Sequence, residues 1–184
     1  MRLYIPIIII VTHVIGANTI HSQEKVHHLA IEVEPVAYIF NGAGIQGRYQ
    51  HGSWRYSIEI LGLDIPESLH GNDGFDASVR AVELHFEHFF TNTRDGFFFG
   101  PEIGMSRLEV THRESGLSDT HTGYSVGIRG GYRWYTGLGN LYLAPVGGLV
   151  YSLNAEDIEI GGEVYEAGAF TPFVTVGIGW SFGL

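Results

Sequence analysis

Cysteine is absent from the 184 residues, which removes disulfides, thiolate metal sites and a cysteine nucleophile together. Charge is scarce, at 16% of residues against about 25% for a soluble domain. Basic charge is scarcer still. Ten Lys and Arg face twenty Asp and Glu, for a formal charge of -10, which argues against nucleic acid as a partner. Also missing, beyond the first twenty or so residues, is any apolar run of the roughly 20 residues that a membrane-crossing helix requires. Any insertion into lipid must then come from strands, and only a closed barrel leaves no backbone amide unpaired there. No low-complexity spacer divides the chain, so one domain is expected.

What is abundant is glycine, at 26 residues, and aromatic side chains, at 13%. Mean hydropathy is only +0.09, too low for a helical membrane protein. A barrel reconciles these values, because half of each strand faces lipid while the other half stays polar. The N-terminus reads as an export signal: Arg2, a nearly apolar run from Leu3 to Ile15, then Gly16, Ala17, Asn18 and Thr19, the order of a secretory leader. Residues 1–22 are expected to be a signal peptide cut between 16 and 22, leaving residues 23–184 as the barrel domain. Loss of Arg2 would bring the charge to about -11.

From residue 28 the apolar pattern has a period of two, with Gly, Asn and Asp between segments. It predicts an all-β fold, a single antiparallel up-and-down transmembrane barrel of about eight strands. The segments run over 28–40, 43–50, 54–63, 78–90, 97–111, 122–135, 140–153 and 164–182. Connections alternate between short ones (around His51, Thr91 to Gly96, Thr136 to Gly139) and long ones (Asp64 to Ala77, His112 to His121, Asn154 to Glu163), as periplasmic turns and external loops do. The Asn41-Gly42 connection is a short one at a place for a long one. In the last long connection Ile158, Ile160, Gly161-Gly162 and Val164 predict a hairpin.

The alternation separates two chemistries. In the last segment Phe170, Val174, Val176, Ile178, Trp180 and Phe182 share one side, with Thr171, Thr175, Gly177, Gly179 and Ser181 on the other. The sixth places Tyr124, Val126, Ile128, Tyr132 and Trp134 outward and Ser125, Gly127, Arg129, Gly131 and Arg133 inward. Tyr38, Phe40, Trp54, Tyr56, Phe89, Phe90, Phe97, Phe98, Tyr132, Trp134, Tyr135, Trp180 and Phe182 lie near segment ends, where interfacial girdles form.

Thr175-Val176-Gly177-Ile178-Gly179-Trp180-Ser181-Phe182 resembles the β-signal read by the outer-membrane assembly machinery, with Thr175, Gly177, Trp180 and Phe182 at the signal positions. More broadly, residues 28–184 are similar to the outer membrane protein A-like β-barrel superfamily, through Gly100-Pro101-Glu102-Ile103-Gly104, Ala144-Pro145-Val146-Gly147-Gly148 and Thr171-Pro172-Phe173-Val174. The resemblance implies a place in the outer membrane of a Gram-negative cell envelope, with outer-membrane lipid, lipopolysaccharide and the assembly machinery as partners. It names no extracellular ligand.

The predicted interior carries Glu32, Glu34, Glu59, Glu83, Glu87 and Glu102 against Arg48, Arg55, Arg129 and Arg133, with His85 between Glu83 and Glu87. In a narrow lumen such groups must pair. They predict an ion-pair network that plugs the barrel, leaving recognition to the loops. A small gated channel is an alternative. So is a lipid A-modifying enzyme, since His112, Ser118, Asp119, Thr120 and His121 bring hydrolytic residue types to one external loop. His85 reads as a network histidine rather than a metal ligand. The acidic connections (Asp64, Glu67, Asp73, Asp76 and Glu156, Asp157, Glu159, Glu163) lack a calcium-binding spacing and read as solvated. No catalytic residue, metal or cofactor is assigned.

Overall fold

The computed structural model describes residues 27–91 and 95–183; the signal-peptide expectation for residues 1–22 lies outside them. In chain order the elements are β1 (His27–Val33), α1 (Pro35–Ile39), β2 (Ala43–His51), β3 (Trp54–Ile65), α2 (Glu67–His70), β4 (Phe75–Phe89), β5 (Gly96–His112), β6 (Ser118–Tyr135), β7 (Leu141–Ser152), β8 (Ile158–Ile160), β9 (Glu163–Tyr165) and β10 (Phe170–Gly183). Eight strands close into an antiparallel barrel in the order β1-β10-β7-β6-β5-β4-β3-β2, and β8 pairs only with β9. Among the described residues no helix is long and apolar enough to cross a membrane.

Closure joins the first strand to the last, with Leu29 opposite Phe182, Ile31 opposite Trp180 and Val33 opposite Ile178. Antiparallel order brings both described ends to one rim, together with the strand ends at His51 and Trp54, Phe89 and Gly96, and Tyr135 and Leu141. The opposite rim carries 34–42, 66–74, 113–117 and 153–169. Strand length varies around the wall, from 7 residues in β1 to 17 in β5 and 18 in β6, so the β5–β6 side stands tallest.

Several expected boundaries change. The first segment does not run to residue 40. Proline at the first helical position and Glu34 in extended backbone end β1 and open α1, where Ala37 is buried and the N–H groups of Phe40 and Gly42 bond to its carbonyl. Proline's fixed φ suits that first turn and removes a ladder donor. Tyr38 and Phe40 therefore lie on the helix and its cap, and a nine-residue loop replaces the Asn41-Gly42 turn. The last barrel strand starts at Phe170, so Val164 belongs to the predicted hairpin, which is a separate sheet rather than an extension of barrel strands. Strands β4 to β6 reach further than expected and shorten two loops to 66–74 and 113–117.

Alternation sorts side chains as the period predicts. Trp54, Tyr56, Ile58 and Ile60 of β3 point out, while Arg55, Ser57 and Glu59 between them are buried. At the tall rim the interior face turns apolar. Phe75, Ala77 and Val110 are buried against Ile158, Ile160 and Tyr165, so the β8–β9 hairpin lies against the inner wall of the mouth.

Candidate functional site

The interior is built from alternate residues of all eight strands, and the charged groups lie along its length. Arg48 donates from Nη2 to Glu32 Oε1 at 2.5 Å and from Nε to Gln46 Oε1 at 3.0 Å. Gln46 donates to Glu34 at 2.9 Å, and the Thr175 hydroxyl donates to the other Glu34 oxygen at 3.3 Å. Arg55 bonds Glu87 at 2.5 Å and lies between two rings, 4.9 Å from the Phe89 centroid and 4.2 Å from that of Phe98. Arg129 occupies the centre: its Nε is 3.3 Å from Glu87, and its Nη1 is 3.6 Å from Glu102 and 3.8 Å from Glu59. The same Nη1 reaches the His85 ring at 2.8 Å. His85 also lies 3.3 Å from Glu83, which is only half-buried. Arg133 stacks 4.3 Å from the Phe89 ring centroid. All eleven residues expected in the interior thus point inward.

The interior contains groups that the sequence reading placed elsewhere or passed over. Phe89 and Phe98 are 1% and 2% exposed and line the lumen rather than an interfacial girdle. Tyr135 also turns partly inward, its hydroxyl donating to Ser181. Gln46, Tyr142 and Phe173 are further interior members. Parity carried the signal for the two phenylalanines: Phe89 shares it with Glu87, and Phe98 with Glu102. Guanidinium groups placed over aromatic faces are attracted by the ring quadrupole.

Of the four β-signal positions, Thr175 and Gly177 face this network, and Trp180 and Phe182 point outward at the closure seam. A side chain at 177 would collide with Glu32, since an ideal Cβ there lies 1.9 Å from Glu32 Oε1. The glycine makes room for the Glu32–Arg48 pair.

Glu59, Glu83 and His85 offer three donor atoms within 4.8 Å of one another. Arg129 places its guanidinium against the same histidine, so that cluster already has its cation.

At the mouth, Ser118, Asp119, Thr120 and His121 do not assemble. Ser118 bonds Thr111 at 2.8 Å, His121 meets the Asn154 carbonyl at 3.0 Å, and Asp119 accepts the Thr120 N–H. His112 instead meets Ser115, Nδ1 to Oγ at 2.9 Å, with Glu163 at 3.5 Å from Nε2. Sequence spacing missed Ser115 because the contact depends on a tight turn, closed by Gly116 N–H to His112 O. Ser115 Oγ also takes the Leu117 N–H at 3.3 Å.

Nearby, Arg113 clamps two loops, donating to Asp76 at 2.7 Å and Glu67 at 2.6 Å. The bond from Arg113 holds the Glu67 carboxyl below its usual range, and the bonds to Asp76 and then Glu67 raise the arginine. His70 Nδ1 accepts the Asn72 N–H at 3.1 Å, and its ring stacks 5.4 Å from Tyr165. Desolvation lowers the His70 pKa. A base depressed by folding contributes fully above its ordinary range and loses that contribution as pH falls through it. Proteolytic cleavage within residues 66–74 is therefore expected to accelerate between pH 7.5 and about pH 5. A His70→Gln variant should abolish that pH response; equal rates at both pH values in the unaltered chain would remove the histidine from the account.

No family model and no curated protein matches the chain. Among solved structures it is similar to Neisserial surface protein A, at 14% identity and a TM-score of 0.56, over 85% of this chain and 96% of that one. It also matches a major outer membrane protein from Thermus thermophilus, at 12% identity and a TM-score of 0.48, over 87% and 100% of the two chains. At this identity, the first likeness is one of fold: a closed eight-stranded barrel.

Proposed function

We propose that this is an outer-membrane barrel of the outer membrane protein A-like kind, exported through a signal peptide cut between residues 16 and 22. Its role is structural or surface-interacting rather than catalytic. The observation that carries the reading is the inverted charge distribution. Six glutamates and four arginines face the interior, whereas the outward positions from Trp54 to Ile60, Val82 to Phe86, Phe97 to Met105 and Tyr124 to Trp134 hold no Asp, Glu, Lys or Arg. Exposed Ile58, Leu84, Ile103 and Ile128 in a continuous band would be unfavourable in water and are favoured against hydrocarbon.

Burial supports a plug rather than a pore. A water-filled path would leave its lining accessible, yet Arg55, Arg129, Tyr142, Phe89, Phe98 and Glu87 are each at most 2% exposed, from Arg129 at the centre to Phe89, Phe98 and Tyr142 near the strand ends. Binding then falls to the loop rim. Contact with lipopolysaccharide is supported by Arg80 and Arg107, which face each other in register on the outer wall, one outward position beyond Val82 and Met105. Two cations at that level suit a lipid phosphate. Thr175, Gly177, Trp180 and Phe182 are assigned to recognition by the assembly machinery.

The test is refolding into lipid vesicles. An unboiled sample should migrate differently from a boiled one and give a far-ultraviolet β signal, and no conductance should be measured across a planar bilayer. Ile58→Lys, at the middle of the band, should lower stability in vesicles by about 2–4 kcal/mol. A lysine tolerated at no cost would place residue 58 in water and end the reading.

A further inference from the structure

A second trio of donors stands at the mouth, and it differs from the interior one in a decisive way. His112, Glu114 and Glu163 place one ligand atom each within 4.8 Å of the others, but among the described residues no guanidinium is paired with them. The neighbouring Arg113 is engaged by Glu67 and Asp76.

The His112 ring is fixed as a ligand needs to be. It is 5% exposed and packs 5.3 Å from the Phe75 ring. Its Nδ1 is held by Ser115 Oγ at 2.9 Å. Metal-bound histidines characteristically have the other ring nitrogen tied by such a partner, which sets the tautomer and leaves the second lone pair for the ion. In the tautomer that donates from Nδ1 to Ser115 Oγ, Nε2 is an acceptor, and no hydrogen-bond donor meets it among the described residues. What faces it is a carboxylate oxygen of Glu163 at 3.5 Å. In that tautomer the two acceptors repel unless a cation joins them, and 3.5 Å is too long for a good hydrogen bond. It matches the spacing of two ligands on one tetrahedral zinc, which bond lengths of about 2.0–2.2 Å put roughly 3.4 Å apart.

The backbone accommodates this meeting. The hairpin turn approaches so closely that a Cβ at Gly161, where φ is +67°, would lie 2.7 Å from His112 Nδ1 and 3.0 Å from Ser115 Oγ. Only glycine permits the tip of β8–β9 to rest on the histidine.

We propose that His112, Glu114 and Glu163 bind a divalent transition-metal ion of the zinc class, clipping the β8–β9 hairpin to the β5–β6 turn across the mouth of the barrel. One nitrogen and two oxygens suit zinc over calcium, whose sites use oxygen alone and more of it. Three protein ligands leave a position open to solvent. The site goes beyond the outer-membrane reading and does not depend on it.

The test uses the full chain refolded in detergent micelles, stripped with a chelator and titrated with zinc chloride by calorimetry, with gel mobility checking that each variant has folded. A single saturable site is expected. Glu114→Gln with Glu163→Gln, which leaves the histidine packed on Phe75, should weaken it at least about tenfold, and Ser115→Ala should weaken it by about tenfold. His112→Gln should abolish it. Zinc should slow proteolysis between residues 155 and 168 in the unaltered chain and not in the double variant. Unchanged affinity in the double variant would assign the ion to other histidines and overturn the site. So would displacement of zinc by an equal concentration of calcium.

Discussion

Replacing Arg129 by Met is expected to destabilise the barrel by about 3–5 kcal/mol, the cost of leaving buried charges without a partner. This guanidinium lies near Glu59, Glu87 and Glu102 and touches His85. Those carboxylates are 2%, 0% and 4% exposed, so water cannot replace it. Glu87 keeps Arg55 at 2.5 Å, which directs most of the damage to the other two. Glu102→Gln in the Arg129→Met background should therefore recover part of the loss, and a double-mutant cycle gives the coupling. Denaturant unfolding from vesicles is the measurement. An unchanged midpoint would mean the interior is hydrated and the plug is an incorrect description.

Gly177→Ala should cost about 3 kcal/mol although it adds a single methyl group. Strand β10 is fixed on both sides, with Gly177 opposite Ala144 and Val33 opposite Ile178, so the backbone has little room to retreat. The Glu32 carboxylate must move instead, and it is the partner of a fully buried Arg48. Adding volume to a packed interior costs about 1–3 kcal/mol by itself, and a loosened ion pair adds to that. The glycine also lies in the segment resembling the β-signal, and the two roles separate cleanly. In a chain carrying Glu32→Ala and Arg48→Met as well, Gly177→Ala should no longer affect stability in vitro. If assembly in cells stays impaired in that background, the glycine is read by the assembly machinery independently of packing.

Both expectations rest on which side of each strand a residue faces, and that was legible from the sequence. A period of two is fixed by the pleat, so alternate Glu, Arg and Gly positions identified the interior without coordinates. Parity would also have placed Phe89 and Phe98 inside; proximity to strand ends outweighed it in the sequence reading. Residues 36–40 mislead for another reason. Val36, Tyr38 and Phe40 alternate as a strand would, and only Pro35 marks the helix start. Contacts made by tertiary approach were not legible. The hairpin itself could be read from Gly161-Gly162, but its resting place against Phe75 and Val110 depends on how far β4 and β5 rise. The His112–Ser115 contact depends likewise on the turn that brings them together.

The unequal strand lengths give the loop rim a direction. With β5 and β6 standing above a seven-residue β1, the rim is a high parapet on one flank and a low sill at α1 on the other. The wall therefore screens the mouth on the β5–β6 flank and leaves it low beside α1.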